Sequence, residues 1–178
     1  MVRRRRSIAM NVIVTKYNEN WNRMFEDEAQ KIKAIFGDEL IEIHHIGSTS
    51  VSGLQAKPII DMMPVVKDIT RIDSFNEQMK EIGYECMGEF GMEGRRYFRK
   101  GGDHRTHHVH AFQMDNIEDI QRHLAVRDFL RTHPEAASQY GSLKERLARQ
   151  YPDDIEAYMD GKDSFVKNLE KKAIDWHA

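Results

Sequence analysis

The apolar positions of this chain change period along its length. Between residues 18 and 36 they recur three or four apart, at Trp21, Met24, Phe25, Ile32, Ile35 and Phe36, the spacing of one face of an α-helix. Gly37 follows as a left-handed cap. From residue 40 the runs shorten. Residues 40–46 alternate, with Ile41, Ile43 and His45 on one face and Glu42, His44 and Ile46 on the other. The run Ile59, Ile60, Met62, Met63, Val65 and Val66 is apolar on both faces, as in a strand covered from both sides. Asp61 is its polar exception. Pro64 cannot donate to a ladder, which predicts a bulge, an edge or a strand end close by.

The spacing further predicts a helix over 73–82 ending at Gly83, and a short strand over 84–89. Two strands over 95–100 and 106–113 are joined by a turn holding Gly101, Gly102 and Asp103. Val12-Ile13-Val14 reads as a short strand or edge segment. Beyond residue 116 the character is helical, with helices expected over 116–131, 134–149 and 153–176. Pro134 suits a first turn and Asp153 an N-cap. Phe165, Leu169 and Trp176 form a stripe expected to close a core. The expected class is α+β: a mixed sheet packed with helices, in one domain over 10–178 whose part from 116 is mostly helical. Before it lies a basic tip, 1–9, carrying Arg3, Arg4, Arg5 and Arg6 and read as a solvated end.

Composition narrows the function classes. The 178 residues are 40% hydrophobic and 31% charged, with a net charge of -2, so nothing draws the chain generally towards nucleic acid. No run approaches the roughly 20 apolar residues of a membrane helix. The single cysteine, Cys86, excludes an intrachain disulfide and fits a reducing cytoplasm, the expected location. Composition leaves the oligomeric state open.

Chemistry concentrates in three places. A strand runs into Gly47-Ser48-Thr49, small residues that can turn backbone N–H groups towards a phosphate, and Lys57 can reach the same anion as a point charge. This is not a P-loop, because the glycine spacing and the terminal Lys-Ser/Thr pair are missing. Asp61 is costly to bury unless it is paired, hydrogen-bonded or metal-bound. In Arg105-Thr106-His107-His108-Val109-His110, alternation puts His108 and His110 on one face, where imidazoles serve as metal ligands, bases or donors to phosphate. With Asp61 they can form a facial triad or a hydrogen-bond network. Arg96 and Arg99 are forks suited to a polyphosphate or acidic substrate, or else solvated hairpin residues. His45 and Glu42 are secondary candidates.

Ile43-His44-His45-Ile46-Gly47-Ser48-Thr49-Ser50, Ala56-Lys57-Pro58-Ile59-Ile60-Asp61, Gly94-Arg95-Arg96-Tyr97-Phe98-Arg99-Lys100 and Arg105-Thr106-His107-His108-Val109-His110 resemble the GrpB family. So do His123-Leu124, Arg127-Asp128-Phe129-Leu130, Tyr151-Pro152-Asp153-Asp154, Ala157-Tyr158 and Gly161-Lys162. The resemblance covers roughly 12–172. It implies the nucleotidyltransferase superfamily, with Gly47-Ser48 at the phosphate position and Asp61 as first metal carboxylate. Magnesium or manganese with a nucleoside triphosphate is then the expected cofactor set, with a transition metal at the histidines as the alternative. A related module fused behind dephospho-coenzyme A kinase adds a nucleotide or coenzyme context. One position departs from the superfamily pattern and another from that of the family. Met63 stands where a second carboxylate is expected, and Ser52 where proline is usual. The resemblance therefore implies either metal-assisted nucleotidyl or phosphoryl transfer to a small molecule, or a non-catalytic nucleotide or anionic-metabolite binding domain.

Overall fold

Strands rich in branched and aromatic residues, separated by glycine turns, assemble into one mixed sheet. A computed structural model describes residues 12–178; the basic tip expected at 1–9 lies outside the described residues. The strands are β1 (Leu40–Ile46), β2 (Ile60–Val66), β3 (Tyr84–Cys86), β4 (Arg95–Lys100) and β5 (His107–Gln113), in the spatial order β1-β2-β5-β4-β3. β2 and β5 are parallel; the other pairs are antiparallel.

Pro64 lies in the interior strand β2, opposite Ile43. The irregularity it calls for sits in the neighbouring strand, where the pairing passes from Leu40↔Val66 to Glu42↔Val65 and leaves Ile41 as an extra residue. Several ends differ from the sequence pattern. The expected helix over 73–82 is a 3-10 segment, Ile69–Phe75, followed by the short α2 (Asn76–Glu81). Val12 to Val14 form no strand; the segment is tied through Val12 N–H to the Pro152 carbonyl and by a bridge between Thr15 and Ala56.

Each sheet face has its own cover. α1 (Asn20–Phe36) lays Trp21, Ile32 and Phe36 on Ile60, Met62, Val66, Val109 and Ala111. Burying each such large side chain contributes roughly 1.5–3 kcal/mol before entropy is counted. Glu28 is the charged exception on that helix. It is buried and accepts from Tyr84 Oη at 2.8 Å and Lys100 Nζ at 2.9 Å. The other face carries Ile46, Met63 and Phe112 beneath Ile120 and Leu124 of α3 (Ile117–Thr132). α4 (Pro134–Gln150) and α5 (Ile155–His177) pack with α3 around Val51 and Leu54, beside the start of β2. Pro134 opens α4 as expected, but Asp154 rather than Asp153 caps α5, accepting from Ala157 N–H at 3.0 Å. Leu169 is buried in this cluster, whereas Trp176 is 43% exposed and meets His133 edge-on near the helix end.

Candidate functional site

Strand alternation and register build the centre of the site. Ile46, the last residue of β1, pairs with Asp61, and Asp61 pairs with His108 across the parallel ladder. His110, two residues on, shares the face of His108. Asp61 Oδ1 lies 3.1 Å from His110 Nε2 and 3.4 Å from His108 Nδ1. Burial works to raise the Asp61 carboxyl, but the hydrogen bonds to His108 and His110 outweigh it and hold the group far below the usual carboxylate range.

The chain leaves β1 through Gly47, whose φ of 72° is a left-handed conformation that favours glycine. A Cβ there would stand 2.8 Å from Asp61 Oδ2, so the missing side chain is what lets the carboxylate lie against the turn. Ser48–Ser50 then form one 3-10 turn. His45, buried on the opposite side and stacked on Phe25, meets Thr49 Oγ1 at 2.9 Å through its Nε2. Burial pushes that imidazole down to about 4, so near neutral pH it is an uncharged support for Thr49.

Beside Asp61 opens a cavity of about 200 Å³ whose lining includes Ser48, Thr49, Lys57, His108, Lys144 and Lys162. Lys144 is only 2% exposed, and its Nζ has no hydrogen-bond partner among the described residues. Burial, then the charges of Lys162 and Lys57, push it down to about 7. Lys162 falls to about 8 by burial and by Lys57, against the opposing pull of Asp61. Lys57 is lowered by burial too. Aromatic faces partly offset the desolvation of these ammonium groups. Lys57 and Lys162 lie 5.1 Å and 5.3 Å from the Tyr158 ring, and Lys144 lies 4.3 Å from that of Tyr140. Burial raises the Tyr140 phenol to about 12, against a hydrogen bond with Ser48. Three lysines facing one carboxylate give the cavity a set of donors chemically suited to a multiply charged anion.

The candidates named from sequence therefore separate. Asp61, His108, His110, Gly47, Ser48, Thr49 and Lys57 come together. Arg96 projects from the opposite sheet face and pairs with Asp73 at 2.7 Å. Arg99 shares the face of His108 but reaches Glu85 at 3.4 Å. Arg105 lies near enough to act electrostatically on Lys57, and its Nε is buried without a partner among the described residues. Glu42 meets His44 at 3.0 Å, in a separate surface groove.

Residues 11–172 match the family described as GrpB protein. The chain belongs to the GrpB family. It is 50% identical over 165 residues to the UPF0157 protein YqkA of Bacillus subtilis; the match takes 93% of this chain but 48% of YqkA, so the chain spans about half of that relative. The crystal structure of conserved protein GrpB from Enterococcus faecalis superposes with a TM-score of 0.91 at 50% identity, covering 93% of this chain and 99% of the other. A structure of the Cid1 poly(U) polymerase shares the fold, with a TM-score of 0.52 at 16% identity over 75% of this chain and 44% of the polymerase. That likeness shows the nucleotidyltransferase fold alone.

In this GrpB chain the next residue on the face of Asp61 is Met63, fully buried against Ile46 and Phe112. That position of β2 is therefore part of the core and offers no carboxylate. The donor set still fits a hard divalent cation brought in with a phosphate ligand, since such an ion takes one or two carboxylates and completes its shell with phosphate and water. Asp61 lines the cavity, its side chain is 29% exposed, and no side chain among the described residues bonds its Oδ2. Asp61, His108 and His110 also lie within 4.8 Å of one another, close enough to be weighed as a transition-metal set.

Pattern reading missed Lys144, Tyr140, Tyr158 and Lys162 as site residues. A signal existed. Tyr140 and Lys144 on α4, and Tyr158 and Lys162 on α5, are each four apart, so each pair shares a helix face.

Proposed function

We propose that this chain binds a phosphate-bearing small molecule, a nucleoside triphosphate being the leading class, and transfers its nucleotidyl or phosphoryl group to a small acceptor with the aid of one divalent metal. The observation that carries this reading is the convergence of Lys57, Lys144, Lys162, Ser48 and Thr49 on one cavity that also contains Asp61. The lysines hold the phosphates and the hydroxyls orient them. Asp61 would hold a magnesium or manganese ion, which would supply Lewis-acid stabilisation of the charge on the departing group. His108 directs Nδ1 at Asp61 and keeps a buried Nε2 without a partner among the described residues. With the ring proton on Nδ1, that Nε2 is a free lone pair fit to take the proton of an acceptor hydroxyl. The acceptor oxygen then bonds to phosphorus as the bond to the leaving group breaks, pyrophosphate in nucleotidyl transfer and the nucleoside diphosphate in phosphoryl transfer. A cavity of about 200 Å³ favours a small ligand over a polymer.

A second reading, binding without turnover, is favoured by the sealed Met63. Incubation with nucleoside triphosphates, manganese and a panel of small hydroxyl and amine acceptors separates the two. Release of pyrophosphate, or of a nucleoside diphosphate together with a phosphorylated acceptor, that stops in His108→Gln supports transfer. Tight binding with no product supports the second reading, and no binding at all contradicts both.

A further inference from the structure

Arg95 has no carboxylate partner among the described residues, although it is only 9% exposed. Its fork is spent otherwise. Nε donates to the Glu89 carbonyl at 3.2 Å, Nη2 donates to the Phe90 carbonyl at 2.9 Å, and the guanidinium lies 4.9 Å from the Tyr97 ring. Phe90 is the one described non-glycine residue with a positive φ, 47°, so the turn that offers these carbonyls is itself held in an unusual conformation. With the guanidinium fixed on two sides, Nη1 meets His110 Nδ1 at 3.4 Å.

Arginine can only donate. His110 Nδ1 must therefore present its lone pair, and the proton of the neutral ring sits on Nε2, the atom 3.1 Å from Asp61 Oδ1. An imidazole that binds a metal through Nε2 needs the reverse arrangement, with Nδ1–H donating to a carbonyl, carboxylate or water. Here that direction is filled by a second donor. The remaining neighbours of the ring do not relieve it: Tyr97, His108 and His123 approach through their rings at 5.3, 6.3 and 5.9 Å.

We propose that Arg95 is a positioning residue that locks His110 as an Nε2–H donor to Asp61 and thereby closes the Asp61–His108–His110 cluster to imidazole-bound transition metals. This deepens the reading of Asp61 as the seat of a hard cation, and rests on that reading only for what the cluster binds instead. The device is local: loop carbonyls fix a guanidinium, the guanidinium selects a tautomer, and the tautomer aims a proton at the carboxylate.

The test is long-range nitrogen–proton NMR of the metal-free chain, with His110 assigned by its loss in His110→Gln. The expected result is a proton on Nε2, a bare Nδ1, and signals unmoved by one equivalent of zinc. Zinc affinity, measured by competition with a chelating dye, is expected to rise on the order of tenfold or more in Arg95→Met, with His110→Gln in the same chain cancelling the gain. A proton on Nδ1, or zinc that binds the unsubstituted chain through His110, overturns the proposal. So does a folded Arg95→Met chain with unchanged zinc affinity. If Arg95→Met does not fold, the tautomer spectrum decides alone. Failure of every nucleotide to bind, with the tautomer as stated, removes the transfer reading and leaves the role of Arg95 standing.

Discussion

Lys144→Met should make this protein more stable and less able to hold a polyphosphate. The folded chain keeps Lys144 near 7, against about 10.5 for the ordinary side chain. Below pH 7 the ammonium is present in both folded and unfolded chains, and the fold bears its full desolvation. At about 1.4 kcal/mol per pH unit this is at most about 5 kcal/mol. Between pH 7 and 10.5 the unfolded chain binds the proton and the folded one does not, so stability rises with pH and the penalty fades. Methionine fills a similar volume without the charge. The expected gain in unfolding free energy is therefore about 2–5 kcal/mol at pH 6, shrinking to about 1 kcal/mol at pH 9.5. Urea denaturation of both chains at the two pH values measures it. Inorganic tripolyphosphate, titrated calorimetrically at pH 7, should bind about tenfold more weakly to the variant, through loss of one charged hydrogen bond. A variant no more stable at pH 6, or a gain indifferent to pH, would mean that Nζ reaches water or a hidden partner. The cavity would then not be held cationic at the expense of the fold.

Two further substitutions probe the turn against Asp61 and the packing of the opposite sheet face. Gly47→Ala forces a side chain into a left-handed backbone and against Asp61 Oδ2, and should cost about 1–3 kcal/mol in denaturant unfolding while weakening manganese binding, read by water-proton relaxation. Glu28→Ala leaves Tyr84 and Lys100 without their acceptor and should cost about 2–4 kcal/mol at pH 7. The carboxyl of Glu28 is lowered from 4.5, so its contribution is complete above that pH and is lost as acid protonates the folded chain. The gap between wild type and variant should therefore close in acid titrations.

Much of the sheet and half of the site were legible in the residues. Alternation alone put His108 and His110 on one face, and the apolar run around Asp61 marked a covered strand. The parallel pairing that sets Asp61 beside His108 is a tertiary fact, and no local pattern specifies it. Pro64 shows the same limit: its missing donor calls for an irregularity, but the neighbouring strand supplied it at Ile41, leaving the proline inside the sheet. The lysine half was hidden because Lys144 occupies a position that helical spacing gives to core, four residues after Tyr140 and three before Leu147. A lone lysine in a charged helix reads as surface until a neighbouring helix covers it. Arg95 follows the alternation of its strand, yet its role depends on two carbonyls of a turn. Those atoms have no side-chain signature.

In the proposed function, phosphate and metal meet at Asp61 beside the lysine cavity. Its most direct test is calorimetric titration of the metal-free chain with nucleoside triphosphates, with and without manganese, for the wild type and Asp61→Asn. Micromolar binding is expected that strengthens with manganese, loses that dependence in Asp61→Asn and is weakened in Lys144→Met. Binding indifferent to manganese and to Asp61, or no binding by any triphosphate, would contradict it.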